Sequence, residues 1–227
     1  MCNDYERHLE WKAYCEAMAK AQLGMPADAS AAQLPPADDV RVGDTAPIMR
    51  ARGNVVELAA LKWGFAPARP GGAPVFNFRS EGRSFAKSKR CLIPASAFFE
   101  FTGSKSPKSK WRFALADCPI LAVAGLWREG VAGEPDAFTM LTVAPGPDVA
   151  PFHDRQIAVL PVLDWASWLY LDKAEADLVK PLPAGSLVVS LDRMGREPAD
   201  PALLSLLRPA RPCPERTTRP VHELGKA

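Results

Sequence analysis

Residue 2 of the chain is a cysteine, directly behind Met1. Removal of Met1 would give Cys2 a free α-amine beside its thiol. An amine condenses with an aldehyde to an imine, and the thiolate then closes a thiazolidine ring in an intramolecular step of very high effective concentration. An N-terminal cysteine is therefore chemically able to trap an aldehyde. The same terminus could instead serve a hydrolase, with the thiol as nucleophile and the amine as base, or be inert.

Three stretches supply polar partners for such chemistry. In "NFRSE", Asn77, Arg79 and Glu81 alternate, so an extended strand would point them to one face. In "AFFEFTG", Glu100 lies among aromatic residues, where desolvation would raise the pKa of its carboxyl and make it a proton donor. In "PFHDRQ", His153 is suited to moving protons at neutral pH. Taken singly, these residues also fit a solvent-facing strand, an outward-pointing carboxylate and a packing or capping histidine.

The charge distribution raises the question of a polyanionic partner. Between Arg79 and Arg112 the chain has nine lysine and arginine residues against two glutamates, a net charge of +7, whereas the whole chain carries +2. Such a segment is either a solvated face or a binding surface for phosphates.

Composition bounds the class of protein. The 227 residues are 48% hydrophobic, enough for one large domain. The 23 prolines argue against a helical bundle, no apolar run approaches the roughly 18 residues of a membrane span, and the charged N-terminus is unlike a signal peptide. Five cysteines without a CxxC pair indicate a reducing cytoplasm. With three scattered histidines, we expect neither a metal site nor another cofactor.

The elements that must position these residues are mostly strands. Residues 5–22 have apolar side chains at helical spacing, and residues 24–39 resemble a loop. "APIMRA" and "VVELAAL" flank "RGN" as a hairpin. Strand-like runs follow: "RCLIPASAFFEF", "WRFALA", "ILAVAGLW", "AFTMLTVA", "RQIAVLPV" and "SLVVSLD". "DWASWLYL" and "AEADLVKPL" predict short helices, and residues 208–227 a poorly ordered Pro/Arg-rich tail.

Several motifs together resemble one family, the SRAP family (SOS response-associated peptidase), whose members process abasic sites in DNA. The motifs, in order, are "MC", "WGF", "NFRSE", "RCLIPASAFFEF", "AVAGLW", "FTMLTVAP" and "FHDRQIAVLP". None is specific alone, but the ordered set behind a cysteine at position 2 is. The resemblance runs from Cys2 to about Leu191 and is weak over residues 5–45.

The resemblance implies a role for each candidate residue. Cys2 would form a thiazolidine with the open-chain aldehyde of an abasic deoxyribose, and Asn77 would orient the terminus and the sugar. Glu100 would transfer protons and reverse the link, and His153 would assist ring opening and imine chemistry. Two further residues match arginines that contact the DNA backbone: Arg79 and Arg155.

The basic segment and two aromatic residues extend this predicted DNA surface. Arg83, Lys89 and Arg90 follow the "NFRSE" motif closely in sequence, and we expect them to bind DNA. Trp63 and Phe65 could stack on bases beside the lesion, each stack contributing roughly 1–3 kcal/mol; core packing is the alternative for both rings.

The chain also departs from the family pattern. Asp4 stands where a DNA-contacting arginine is usual, which bears on local phosphate affinity. Phe78 replaces an alanine in "NFRSE", and its side chain should fall on the face opposite Asn77. Phe101 replaces a usual tryptophan after the glutamate.

These observations predict an α+β fold: a single domain over residues 1–207 with a β-barrel-like, mostly antiparallel core and peripheral helices, followed by the 208–227 tail. The expected protein is a cytoplasmic, nucleoid-associated monomer, without a membrane partner, that traps abasic sites in single-stranded or junction DNA. Peptidase activity, including autoproteolytic removal of Met1, and lyase-type reversal would accompany trapping. The alternatives are an N-terminal-cysteine hydrolase acting on peptides or amides without DNA, and a non-catalytic DNA-binding module.

Overall fold

The computed structural model of the chain describes residues 2–25, 33–67, 69, 71–131 and 133–207. The predicted removal of Met1 and the 208–227 tail lie outside these residues. The strands are β1 (Asp4–Arg7), β2 (Ala37–Arg41), β3 (Thr45–Arg52), β4 (Val55–Trp63), β5 (Asn77–Arg79), β6 (Arg90–Ala95), β7 (Ala97–Thr102), β8 (Ser109–Leu115), β9 (Leu121–Arg128), β10 (Ala137–Val143), β11 (Gln156–Ile157), β12 (Val159–Leu160) and β13 (Leu187–Arg193). The helices are α1 (Trp11–Lys20), α2 (Trp165–Tyr170), α3 (Glu175–Leu178) and α4 (Pro201–Leu204).

The strands form two sheets. The smaller sheet has the order β13-β8-β7-β1-β2, and all of its pairs are antiparallel. The larger sheet has the order β11-β10-β4-β3-β6-β9-β12, and β10 also pairs with β9 and β5. The β10–β9 pairing closes five strands into a barrel-like ring, in which only the β10–β4 pair is parallel. The predicted α+β class with a barrel-like, mostly antiparallel core is confirmed.

One hydrophobic cluster draws side chains from both sheets and includes Cys2 with several large aromatic residues: Tyr5, Trp63, Phe98, Trp111, Phe113 and Phe138. A second cluster contains buried residues of α1 and α2 together with residues of β3, β6 and β9. In α2, Trp168 is fully buried and its indole N–H donates to the Cys91 carbonyl at 2.9 Å. The helices α1, α2 and α3 therefore pack on the outer side of the larger sheet, while Cys2 and Leu203 of α4 belong to the cluster shared by the two sheets.

The N-terminal region differs from its prediction. The apolar spacing predicts a helix over residues 5–22, but the helix is confined to α1 and the residues before it form β1. Tyr5 explains the difference, because it is fully buried and pairs with Val40 on one side and Phe98 on the other. Burial between two partner strands outweighs local periodicity. Residues 37–39, the end of the predicted 24–39 loop, belong to the partner strand β2 for the same reason.

The run "RCLIPASAFFEF" forms two strands rather than one. The chain leaves the larger sheet after β6 and enters the smaller sheet as β7, with Ser96 between them. The Ser96 hydroxyl donates to Glu6 at 2.8 Å, which ties this crossover to β1. The hairpin of β3 and β4 is confirmed, as are the strands predicted from "WRFALA", "ILAVAGLW", "AFTMLTVA" and "SLVVSLD" and the two helices. The run "RQIAVLPV" forms two short strands, β11 and β12, which pair with β10 and β9. The short helix α4 was not predicted.

No helix in the described ranges is long and apolar enough to cross a membrane.

Gly125 allows three strands of the ring to meet, since it pairs with Cys91 of β6 and Met140 of β10. A Cβ here would lie 2.7 Å from the Thr139 carbonyl oxygen and closer still to the Ile93 side chain. We expect Gly125→Ala to lower the free energy of unfolding by about 3 kcal/mol or more, measured by urea denaturation.

Gly53 provides the matched control. It has φ +60° at the β3–β4 turn, and a Cβ added there would meet no atom within 4 Å, so Gly53→Ala should cost only about 1 kcal/mol of left-handed strain. Equal losses in the two variants would contradict the packing argument.

Candidate active site around Cys2

The antiparallel pairing of β1 with β7 places Cys2 near Glu100. Tyr5 pairs with Phe98 and Glu6 with Ala97, so the residues before β1 run beside those that follow Phe98. From the larger sheet, the Asn77 side-chain amide donates a 2.7 Å hydrogen bond to the Cys2 carbonyl. Cys2 is thus fixed from both sheets, by strand pairing on one side and by Asn77 on the other.

The Cys2 thiol is a buried, protonated group in this arrangement. The residue is 1% exposed, and its Sγ donates to the backbone carbonyl of Asp4 at 3.2 Å. Burial raises the pKa of the thiol well above its ordinary value, and the negative charge of Glu100 adds to the effect. The sulfur therefore keeps its proton at neutral pH.

Glu100 is a carboxyl group with a strongly perturbed titration. It is 1% exposed, and burial raises its pKa to about 7. The raised pKa expected from its aromatic neighbours is confirmed, and the alternative of an outward-pointing carboxylate is wrong. At neutral pH this group can either donate or accept a proton, as general acid–base chemistry requires.

His153 faces Glu100 from the loop before β11. Its Nε2 lies 3.9 Å from Glu100 Oε2, and the Arg155 backbone N–H donates to its Nδ1 at 3.0 Å. Asp154 Oδ1 also lies 3.0 Å from Nδ1, but the Asp154 side chain is 90% exposed, so solvent screens its charge. Burial lowers the pKa of His153. We therefore assign the neutral tautomer, with the proton on Nε2 directed toward Glu100.

An open cleft of about 400 Å³ gives access to Glu100 and His153. Its lining includes residues that sequence reasoning did not select: Asn3, Ser106, Pro107, Lys108 and Arg193. Lys108 lies within the basic segment, whose charge was the only signal for it. Arg193 is far away in sequence and reaches the cleft because β13 pairs with β8.

The predicted DNA-binding residues are divided between two faces. Arg79 is exposed on β5, which also carries Asn77. Phe78 points to the opposite face, as predicted, and packs against Phe85 in the second cluster. Arg83 and Lys89 line a separate cavity of about 710 Å³ on that opposite face.

Two other predicted contacts are engaged inside the protein. Arg155 makes a bidentate ion pair with Glu81, at 2.6 and 2.9 Å, and its hydrogen bonds lower the pKa of Glu81 to about 2. The Arg90 guanidinium donates to backbone carbonyls, including those of Trp168 and Leu169.

Trp63 is a core residue and not a surface on which bases could stack. It is fully buried, and its indole N–H donates to the Phe76 carbonyl at 3.0 Å. Phe65 is also buried. Neither ring offers a free face to a base in this structure.

Across the described ranges, no group of three or more His, Cys, Asp or Glu side chains is placed to hold a metal ion.

The burial of Glu100 has a consequence for stability that does not depend on any activity. Its folded-state pKa exceeds its unfolded value of 4.5, so the folded state binds more protons between about pH 4.5 and 7, and stability falls as pH rises through this window. Glu100→Gln removes that dependence. Relative to wild type, we expect the variant to gain on the order of 3 kcal/mol of unfolding free energy from pH 4 to pH 8. Chemical denaturation measures this; a constant difference would show that the carboxyl is not desolvated.

Comparison with known proteins agrees with this geometry. The family described as SOS response associated peptidase (SRAP) matches residues 1–190. Abasic site processing proteins YoqW and YobE of Bacillus subtilis (strain 168) are each 30% identical over 146 residues, which cover 57% of this chain and 65% and 66% of those relatives. The match thus spans slightly less than two thirds of their length. A crystal structure of a protein from Bordetella bronchiseptica superposes with a TM-score of 0.65 at 27% identity, covering 85% of this chain and 100% of that one. The chain belongs to the SRAP family.

Proposed function

We propose that this protein captures abasic sites in single-stranded or junction DNA as a thiazolidine cross-link to Cys2. The observation that carries the proposal is the grouping of buried Cys2, held by Asn77, with Glu100 of pKa about 7 and neutral His153, the last two of which line the open cleft. The relatives named abasic site processing proteins support the same substrate class. Removal of Met1 supplies the reagent, a free α-amine on Cys2.

The amine is the first nucleophile in this mechanism. An α-amine has an unperturbed pKa near 8, whereas burial keeps the Cys2 thiol protonated. The amine attacks the aldehyde carbon of the open-chain sugar to give a carbinolamine. Glu100 in its acid form then donates a proton to the departing hydroxyl, which leaves as water, so that a protonated imine forms and Glu100 becomes a carboxylate.

Sulfur closes the ring in the second stage. The Cys2 Sγ adds to the carbon of the protonated imine while its proton passes to the Glu100 carboxylate, which returns Glu100 to its acid form and leaves a neutral ring nitrogen. Aldehyde and aminothiol thus give thiazolidine and one water. The ring opening of the sugar that precedes these steps is assigned to His153, which lines the cleft and whose Nε2 lies 3.9 Å from Glu100 Oε2.

Reversal of the cross-link uses the same carboxyl in the opposite direction. Opening of the thiazolidine needs a proton on the departing sulfur, and Glu100 at pKa about 7 is half protonated at neutral pH. This is the lyase-type activity in the proposal. The peptidase activity in the proposal is the autoproteolytic removal of Met1.

We assign contacts with the DNA backbone to the cationic side chains that border the cleft. Lys108 and Arg193 line it and Arg79 is exposed on the strand that carries Asn77. Arg155 can contact a phosphate only by exchanging Glu81 for it, since both of its terminal nitrogens bond that carboxylate. We place the protein in the cytoplasm, on nucleoid DNA, as a monomer.

Covalent trapping is tested with an oligonucleotide whose uracil has been removed by uracil glycosylase. Protein shown by intact mass to lack Met1 should give a shifted band that survives boiling in denaturant, and Cys2→Ala should give none. Cys15→Ala, on α1, is the matched control and should cross-link as wild type does. Absence of the band from wild-type protein that lacks Met1 contradicts the proposal. Peptide cleavage without a cross-linked band supports a hydrolase. Salt-dependent DNA binding without either product supports a non-catalytic module.

The phosphate contacts are tested separately on Cys2→Ala, which isolates binding from chemistry. Lys108→Ala and Arg193→Ala should each weaken binding to the abasic oligonucleotide and reduce the slope of log affinity against log salt by about 1. Lys173→Ala, which removes a surface lysine paired with Asp164 at 2.8 Å, should leave affinity unchanged. An unchanged slope in both test variants would remove these residues from the DNA surface.

A further inference from the structure

Lys110, on β8, is a buried lysine that contacts every other strand of the smaller sheet. It is 5% exposed, and lysine is rarely buried without partners. Its Nζ lies 2.9 Å from Asp4 Oδ2 on β1, bonds Asp39 on β2, and lies 3.9 Å from Asp192 Oδ2 on β13. From β7, the ring of Phe99 approaches with its centroid 3.6 Å from the ammonium.

The Asp4 carboxylate depends on this ammonium for compensation. Asp4 is buried, and burial raises its pKa to about 6 in spite of the opposing effect of Lys110. Asp39 is less dependent, because its side chain is 31% exposed and also accepts from Arg41 at 3.0 Å. Loss of Lys110 would remove the cation that pairs with the Asp4 carboxylate. A buried carboxylate without a partner cation strongly destabilises the fold.

The same cluster adjoins both reacting groups of the proposed mechanism. The Cys2 thiol donates to the backbone carbonyl of Asp4, so the position of Asp4 sets the position of the sulfur. Phe99 precedes Glu100 on β7. Lys110 thus contacts the segment that anchors Cys2 through Asp4, and the strand that carries Glu100 through Phe99.

We propose that Lys110 is a positioning residue for the reaction of Cys2, which it serves by pairing with Asp4 and so holding the Cys2 segment against β7. The inference rests on the proposed cross-linking function. Lys110 lines a neighbouring cavity of about 370 Å³ together with Asn3, Asp4, Arg41 and Arg193, so direct contact with a DNA phosphate is the competing role that the test must separate.

The test is a double-mutant cycle on the rate of cross-linking at saturating abasic oligonucleotide. We expect Asp4→Asn, which keeps the side-chain shape, to slow the reaction about threefold. Lys110→Met leaves the buried carboxylate unpaired and should slow it about tenfold. If Lys110 acts through Asp4, its removal adds nothing once Asp4 is neutral. The double variant should therefore react about as fast as Asp4→Asn alone, and faster than Lys110→Met.

Affinity and folding are measured alongside the rate. The same substitutions in the Cys2→Ala background should bind the oligonucleotide as tightly as Cys2→Ala itself, because a positioning residue does not touch DNA. Lys173→Met is the matched control for loss of an ion-paired lysine and should leave the rate unchanged. Thermal unfolding identifies any variant that does not fold; if Lys110→Met is one, Asp4→Asn alone carries the test, and a wild-type rate from it overturns the proposal.

Three other results overturn the inference. A wild-type cross-linking rate from folded Lys110→Met shows that Lys110 has no positioning role. A double variant slowed by the product of the two single effects shows that Lys110 acts independently of Asp4. Reduced affinity with an unchanged rate assigns Lys110 to the DNA surface. Failure of the wild-type protein to cross-link is a different result, since it removes the proposed function itself.

Discussion

The pairing of β1 with β7 is the constraint on which the site depends. β1 is an inner strand of the smaller sheet, hydrogen-bonded to β2 and β7, and its antiparallel register with β7 brings the beginning of the chain beside Glu100. A chain terminus is ordinarily poorly ordered. Here a buried Tyr5, the Ser96–Glu6 bond and the Asn77 amide hold the residues next to it in place.

Desolvation shifts the pKa values of the ionisable groups around Cys2. Burial raises the pKa values of Cys2 and Glu100 and lowers that of His153, so all three favour their neutral forms. The same desolvation favours the unprotonated, reactive form of an amine placed among these groups. The charged residues lie around this centre, with Lys108 and Arg193 along the cleft.

The sequence was informative where a local pattern decides the outcome. Alternation along "NFRSE" correctly separated Asn77 from Phe78, and the aromatic neighbours of Glu100 correctly indicated its desolvation. The hairpin and most strands followed from their apolar runs. Because β5 ends at Arg79, however, Glu81 leaves the strand face and turns to Arg155 instead.

Long-range contacts account for what the sequence did not show. Whether Trp63 is a stacking surface or a core residue depends on Tyr5 and Phe138. Both pack against its ring from strands that are distant in sequence. In the sequence nothing indicates a partner for Arg155, because Glu81, with which it pairs, lies 74 residues away. The Asp4–Lys110 pair joins β1 to β8, two strands that are not neighbours in the sheet, and no sequence spacing indicates it.

Burial of the Cys2 sulfur also bears on how the protein survives oxidative stress. Peroxide attacks the thiolate and not the thiol, and susceptibility follows exposure. A sulfur that is 1% exposed and bonded to the Asp4 carbonyl is shielded on both counts. In the proposed mechanism, concealment of the sulfur keeps the Cys2 thiol reduced until the amine has engaged a carbonyl.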